Sequence, residues 1–121
     1  MGARAALEAG GDIEVIGEAT NGDQLLALLA MRPCDVVISD FSMPGGRHGD
    51  GLLLIDHIRR RHPRLPIVML TMMNNVAVLQ AMRIRGALGL CDKRAPLREV
   101  AVAARHAYFG RPYYSESIRE Q

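Results

Sequence analysis

What most limits the fold of this sequence is an alternation of short apolar runs with longer amphipathic stretches. Residues 35–39 (DVVIS), 67–70 (IVML) and 87–91 (ALGLC) are brief and apolar, the pattern of strands buried on both faces. Residues 13–19 (IEVIGEA) alternate apolar and polar, which predicts a strand with one exposed face. Between these lie helical stretches. Residues 2–9 are closed by Gly10-Gly11, and residues 23–31 have Asn21 as a candidate N-cap and Pro33 as a stop. Residues 52–62 carry apolar side chains at 52, 55 and 58 and end at Pro63. Residues 76–85 end at Gly86, and residues 96–109 begin on Pro96 and end at Gly110. Strict alternation with short links predicts an α/β fold, a doubly wound parallel sheet with helices on both faces. In such sheets ligands bind beyond the carboxyl ends of the strands. The places to search for chemistry are therefore Asp40, Thr71 and Lys93.

The 121 residues fit one domain, and a net charge of +2 is too small to argue for nucleic acid. Trp is absent and aromatics are few, so aliphatic residues and Met must build the core. Arg59, Arg60, Arg61 and Arg64 read as solvent-facing cations at a helix C-terminus. Cys34 and Cys91 lie far apart beside apolar runs and read as buried free thiols. His48, His57, His62 and His106 show no metal-ligand spacing and are expected at the surface. No signal segment and no apolar run of membrane-spanning length occurs, so a cytoplasmic protein without membrane contact is expected.

A carboxylate, a hydroxyl and an ammonium at one sheet edge make a recognisable set. Asp40 follows VVIS, Thr71 follows IVML, and Lys93 lies just past LGLC. The carboxylate can attack phosphorus, while the hydroxyl and ammonium can hold the transferred oxygens. Singly each signal is weak: an Asp there is more often a cap, a Lys solvated, and Thr71 an N-cap for the next helix. Their joint occurrence at the same end of successive strands carries the inference.

These residues sit in motifs. D-F-S-M-P-G at Asp40, with Gly51 closing a lengthened loop, resembles D-x-x-M-P-x-x-x-G of the receiver domains of bacterial two-component response regulators. L-T-M from Leu70 and G-x-x-G-x-x-x-K from Gly86 to Lys93 resemble the same family, closest to its NarL/FixJ-type subgroup. The resemblance runs from about Gly2 to Ser117. It implies a flavodoxin-like fold, with residues 1–114 as the receiver and 115–121 as the start of a linker toward an output domain. It implies that Asp40 accepts a phosphoryl group from a histidine kinase or phosphotransfer protein, that Thr71 moves toward it, and that Lys93 pairs with it. Mg2+ would be held by Asp40 and the main-chain carbonyl of Ser42, with Pro44 shaping the turn. Output would be a homodimer, or a heterodimer with another regulator, and DNA would be bound only through the output domain. The protein would not be a turnover enzyme.

The resemblance also exposes departures. The family opens with a strand ending in an acidic pair that binds magnesium. Neither is present here, which implies an N-terminal truncation that removes the first strand and part of the first helix. Asp12, Glu14, Asp23 and Asp50 are not placed to replace the pair. Weakened Mg2+ binding is expected, together with a slot of unpaired backbone beside residues 35–39. Leu90 stands where many receivers carry a rotating aromatic, and Arg47-His48 read as a tolerated loop insertion. The main rival is a phosphorylation-independent pseudo-receiver working by shape. A phosphatase is a more distant one, because Phe41-Ser42 offer no general acid. Val78, Leu79 and Met82, or Val102 and His106, are candidate partner faces, with plain core stripes as the equal alternative.

Overall fold

The computed structural model describes residues 2–72 and 75–121. Four parallel strands form one sheet in the order β1 (Val37–Asp40), β2 (Ile67–Thr71), β3 (Ala87–Asp92) and β4 (Tyr113–Tyr114). The helices are α1 (Gly2–Glu8), α2 (Gly22–Met31), α3 (Gly51–Arg61), α4 (Val76–Ile84), α5 (Leu97–Tyr108) and α6 (Glu116–Arg119). Among the described residues no helix is long and apolar enough to cross a membrane.

Burial on both sides explains the near-continuous apolar character of β2. Ile67 and Met69 enter a core with Leu26, Leu54, Ile55, Ile58, Leu79 and Met82, from helices α2, α3 and α4. Val68 faces the other way, against Leu7 of α1 and Val100, Ala101, Ala103 and Ala107 of α5. Small residues along α5 let that helix lie close to the sheet. This is the doubly wound α/β arrangement expected from the sequence. In β3 the register slips beside Leu88, and Val68 comes to face Gly89, where an added Cβ would stand 3.0 Å from Val68 Cγ2. Gly89 therefore permits close strand approach at an irregularity.

Several expectations change. Residues 13–19 form no strand. A strand needs a partner for its backbone, and side chains serve this segment instead. Glu8 accepts from the Val15 N–H at 2.7 Å, Arg4 donates to the Val15 carbonyl at 2.8 Å, and Arg32 donates to the Ile16 carbonyl. Among the described residues no strand pairs with the outer edge of β1, where Val36 and Ile38 stay half-buried. Arg59 does not face solvent. It donates to the carbonyls of His62 (3.2 Å), Pro63 (2.9 Å) and Gly86 (2.9 Å), fastening the α3–β2 turn to the end of α4. Leu79 and Met82 are core residues, so that face of α4 is no partner surface. All four histidines are half-buried rather than exposed, and Cys34 is half-buried where Cys91 is fully buried.

Two further differences concern element ends. Asn75, unremarked in the sequence, caps α4 by accepting from the Ala77 and Val78 N–H groups. Beyond α5, where residues 115–121 are expected as the start of a linker, residues 113–119 add β4, a strand of two residues along β3, and the short helix α6. Between β2 and α4, Met73 and Asn74 lie outside the described residues.

Candidate functional site

Strand register gathers the predicted residues at one edge. Asp40, the last residue of β1, lies opposite Leu70, and Thr71, the last of β2, lies opposite Asp92. Lys93 follows directly, and its N–H donates to the Thr71 carbonyl at 2.9 Å. The Phe41 N–H likewise donates to the Leu70 carbonyl at 2.7 Å, so the chain stays paired just past the acceptor position. Lys93 Nζ stands 3.5 Å from Asp40 Oδ2, with the two side chains 48% and 35% exposed. Thr71 is buried.

Asp92 sits beside Lys93 but does not compete for it. Its carboxylate takes both the Arg94 side chain (2.9 and 2.8 Å) and the Arg94 N–H (2.8 Å), as well as the Ser117 hydroxyl at 3.0 Å. The Arg94 guanidinium, followed by these other donors, holds the Asp92 carboxyl well below the usual carboxylate range. The ammonium is left to Asp40. The Asp92 N–H in turn donates to Ser115 Oγ at 2.8 Å, tying residues 115–117 to the end of β3.

The loop after Asp40 is held at three levels. The Gly51 N–H donates to the Phe41 carbonyl at 2.8 Å and closes its base. Asp50 Oδ2 accepts from the Met43 N–H at 2.8 Å, while the Met43 side chain is buried in the core and receives the Ser39 hydroxyl at 3.3 Å. Asp23 of α2 accepts from the N–H groups of Arg47 (2.8 Å) and His48 (3.0 Å), and its Oδ1 lies 2.5 Å from His48 Nδ1. These donors, the Arg47 N–H foremost, lower the Asp23 pKa to about 2. Gly46, at φ +84°, makes the approach possible, since a Cβ there would stand 2.8 Å from Asp23 Cγ. Arg47-His48 are thus an anchored part of the loop, not a loose insertion. His48 also packs edge-on to His57, with ring centroids 4.9 Å apart.

The two oxygens that the resemblance assigns to a hard cation, the Asp40 carboxylate and the Ser42 carbonyl, are of the right chemistry. Among the described residues no group of three or more His, Cys, Asp or Glu could hold a metal ion. Asp12 is engaged with Arg105 at 2.7 Å. The sequence reading missed Asp23 and Asp50 as loop-holding residues. The signal was faint: an Asp in the first turn of one helix and another before Gly51, either of which reads as an ordinary cap.

Comparison with known proteins fits this geometry. The description "Response regulator receiver domain" matches residues 1–105. The chain is 34% identical over 118 residues to the transcriptional regulatory protein RcsB of Escherichia coli K12, covering 98% of this chain and 55% of that protein. RcsB of Salmonella typhimurium gives the same figures, so the chain spans about half the length of these relatives. Among solved structures, the isolated REC domain of RcsB from Salmonella enterica serovar Typhimurium, with the phosphomimetic BeF3−, superimposes with a TM-score of 0.89 at 34% identity. That match covers 98% of this chain and 86% of the other. A LuxR family response regulator from Aurantimonas also reaches 0.89, at 25% identity over 98% of this chain and 83% of its own. With the Asp40–Lys93 pair at the carboxyl ends of a parallel sheet, and the family's pattern matched over most of the sequence, the chain belongs to the response regulator receiver domain family.

Proposed function

We propose that Asp40 is the phosphoacceptor of this receiver, charged by a histidine kinase or a phosphotransfer protein. The observation that carries the reading is Lys93 Nζ at 3.5 Å from Asp40 Oδ2, at the strand ends where Thr71 also lies. An Asp40 carboxylate oxygen would attack the phosphorus of a phosphohistidine. The phosphorus–nitrogen bond breaks, and the imidazole nitrogen leaves with the electron pair. The product is an acyl phosphate carrying more negative charge than the carboxylate it replaces. Lys93 offsets that charge, and the Thr71 hydroxyl is the group on the adjacent strand able to donate to a phosphoryl oxygen.

Asp40 and the Ser42 carbonyl would hold Mg2+, which supplies charge neutralisation of the phosphoryl oxygens when bound. With one carboxylate and one carbonyl from the described residues, most of its shell would be water, and affinity should be low. Phosphorylation would alter pairing with a second regulator, and any DNA contact would belong to a domain outside this chain. Among the described residues Phe41-Ser42 bring no second acid that could drive turnover, in keeping with a switch, and a cytoplasmic location belongs to the same proposal. One solved relative is described as two RcsB dimers bound to two parallel DNAs, which supports dimerisation as the output.

A second reading, a pseudo-receiver that binds partners without phosphorylation, is favoured by the small donor set around Asp40. Intact-mass measurement after incubation with acetyl phosphate and Mg2+ separates the two. A phosphoryl adduct on the parent but not on Asp40→Asn supports the acceptor. Folded protein with no adduct supports the pseudo-receiver.

A further inference from the structure

We infer that Asp50 is a positioning residue that aims the Ser42 carbonyl at the metal position. The inference rests on the reading that Ser42 donates to Mg2+, and it deepens that reading. Asp50 occupies the N-cap of α3, where an Asp side chain ordinarily accepts from the N–H groups of the first helical turn. Here it makes no such bond. Its Oδ2 instead accepts from the Met43 N–H at 2.8 Å, seven residues back in the chain.

That N–H belongs to the same peptide unit as the Ser42 carbonyl. The unit is planar and trans, so its N–H and C=O point in opposite directions. A carboxylate gripping the N–H therefore turns the carbonyl away from Asp50. The unit has little freedom to rotate. The Met43 side chain is buried in the core and takes the Ser39 hydroxyl at 3.3 Å, and Pro44 restricts the backbone just after it. The Phe41–Gly51 bond closes the loop immediately behind Asp50, fixing the carboxylate relative to β1. Asp50 thus serves the metal through orientation, without being a ligand. Partners that orient a ligand typically affect metal affinity by about tenfold or more.

The test is a titration with Mg2+ alone, followed by two-dimensional amide NMR, on the unaltered chain, Asp50→Ala and Asp50→Asn. Asn keeps an acceptor oxygen for the Met43 N–H, and Ala does not. In Asp50→Ala the Met43 amide should exchange with solvent faster, and the Mg2+ midpoint should rise by about tenfold. Asp50→Asn should return both toward the parent values. The inference is overturned if Asp50→Ala, with well-dispersed spectra, titrates at the parent midpoint. It is also overturned if Asn fails to rescue while the Met43 amide stays protected. A parent chain whose amides near Asp40 ignore Mg2+ altogether would instead remove the metal reading on which the inference stands.

Discussion

The Asp23 carboxylate and the Arg47 N–H, 24 residues apart in sequence, meet at 2.8 Å and join the first turn of α2 to the loop that follows Asp40. The contact requires ionised Asp23, whose pKa is lowered to about 2 from an ordinary 3.8. A depressed carboxylate pKa contributes stability above the unfolded value, and that contribution fades as pH falls through the folded one. The loop should therefore loosen between about pH 4 and pH 2. Amide exchange of Arg47 and His48 across that window checks this, and Asp23→Asn should flatten the dependence.

Gly46 tests the same contact from the other side. Its φ of +84° is a left-handed conformation, and a Cβ there would overlap Asp23. Gly46→Ala should cost about 1–2 kcal/mol from backbone strain alone, read as a lowered denaturation midpoint. A neutral result would mean that the loop can refold around the added methyl.

Lys93→Ala removes the cation beside Asp40 and leaves Arg94 attached to Asp92. Buried donors to a developing charge are worth roughly 100- to 1000-fold in rate. Lys93 is half exposed, so the loss in acetyl phosphate labelling should be smaller, about tenfold. Labelling at the parent rate would place the charge-offsetting group elsewhere.

Ser115 is buried, and its Oγ accepts from the Asp92 N–H at 2.8 Å. Ser115→Ala leaves that N–H without its acceptor, at a cost of about 1–3 kcal/mol. Chemical denaturation measures the loss. A drop in Lys93-dependent labelling in the same variant would show that the end of β3 depends on the clasp.

Ile58 has no exposed surface in the α3 core, whereas Ile84 at the end of α4 is 83% exposed. Ile58→Ala should destabilise by about 2–5 kcal/mol, and Ile84→Ala by no more than about 0.5 kcal/mol. Thermal midpoints of the two variants distinguish a packed core from a loosely collapsed one.

Much of this architecture could be read from residue order because local and global signals agree in it. Residues 67–70 are apolar without a break because both faces of the sheet are covered there, and Asn21 caps α2 where the sequence placed it. Agreement failed where the outcome depended on distant partners. The alternating pattern of residues 13–19 satisfies every local rule for a strand, yet a strand exists only where another backbone pairs with it. Tyr113–Tyr114 is too short to show periodicity and is ordered by the edge of β3. At the site, Asp40, Thr71 and Lys93 were visible because strand ends converge by topology. Asp23 and Asp50 were not, because their targets are backbone N–H groups in a loop, which carry no mark in the sequence.

Residues 13–19 are held by forces of a different character from those in the sheet. The segment is fastened at Val15 by the side chains of Glu8 and Arg4, and Arg4 also pairs with Glu18 at 2.9 Å. Attractions of this kind between exposed charges are attenuated by dissolved ions, with a screening length of about 8 Å near physiological ionic strength. A ladder of backbone hydrogen bonds is far less sensitive. Ionic strength therefore acts on this segment and spares the sheet, so concentrated salt should soften residues 13–19 while leaving the β2–β3 ladder intact.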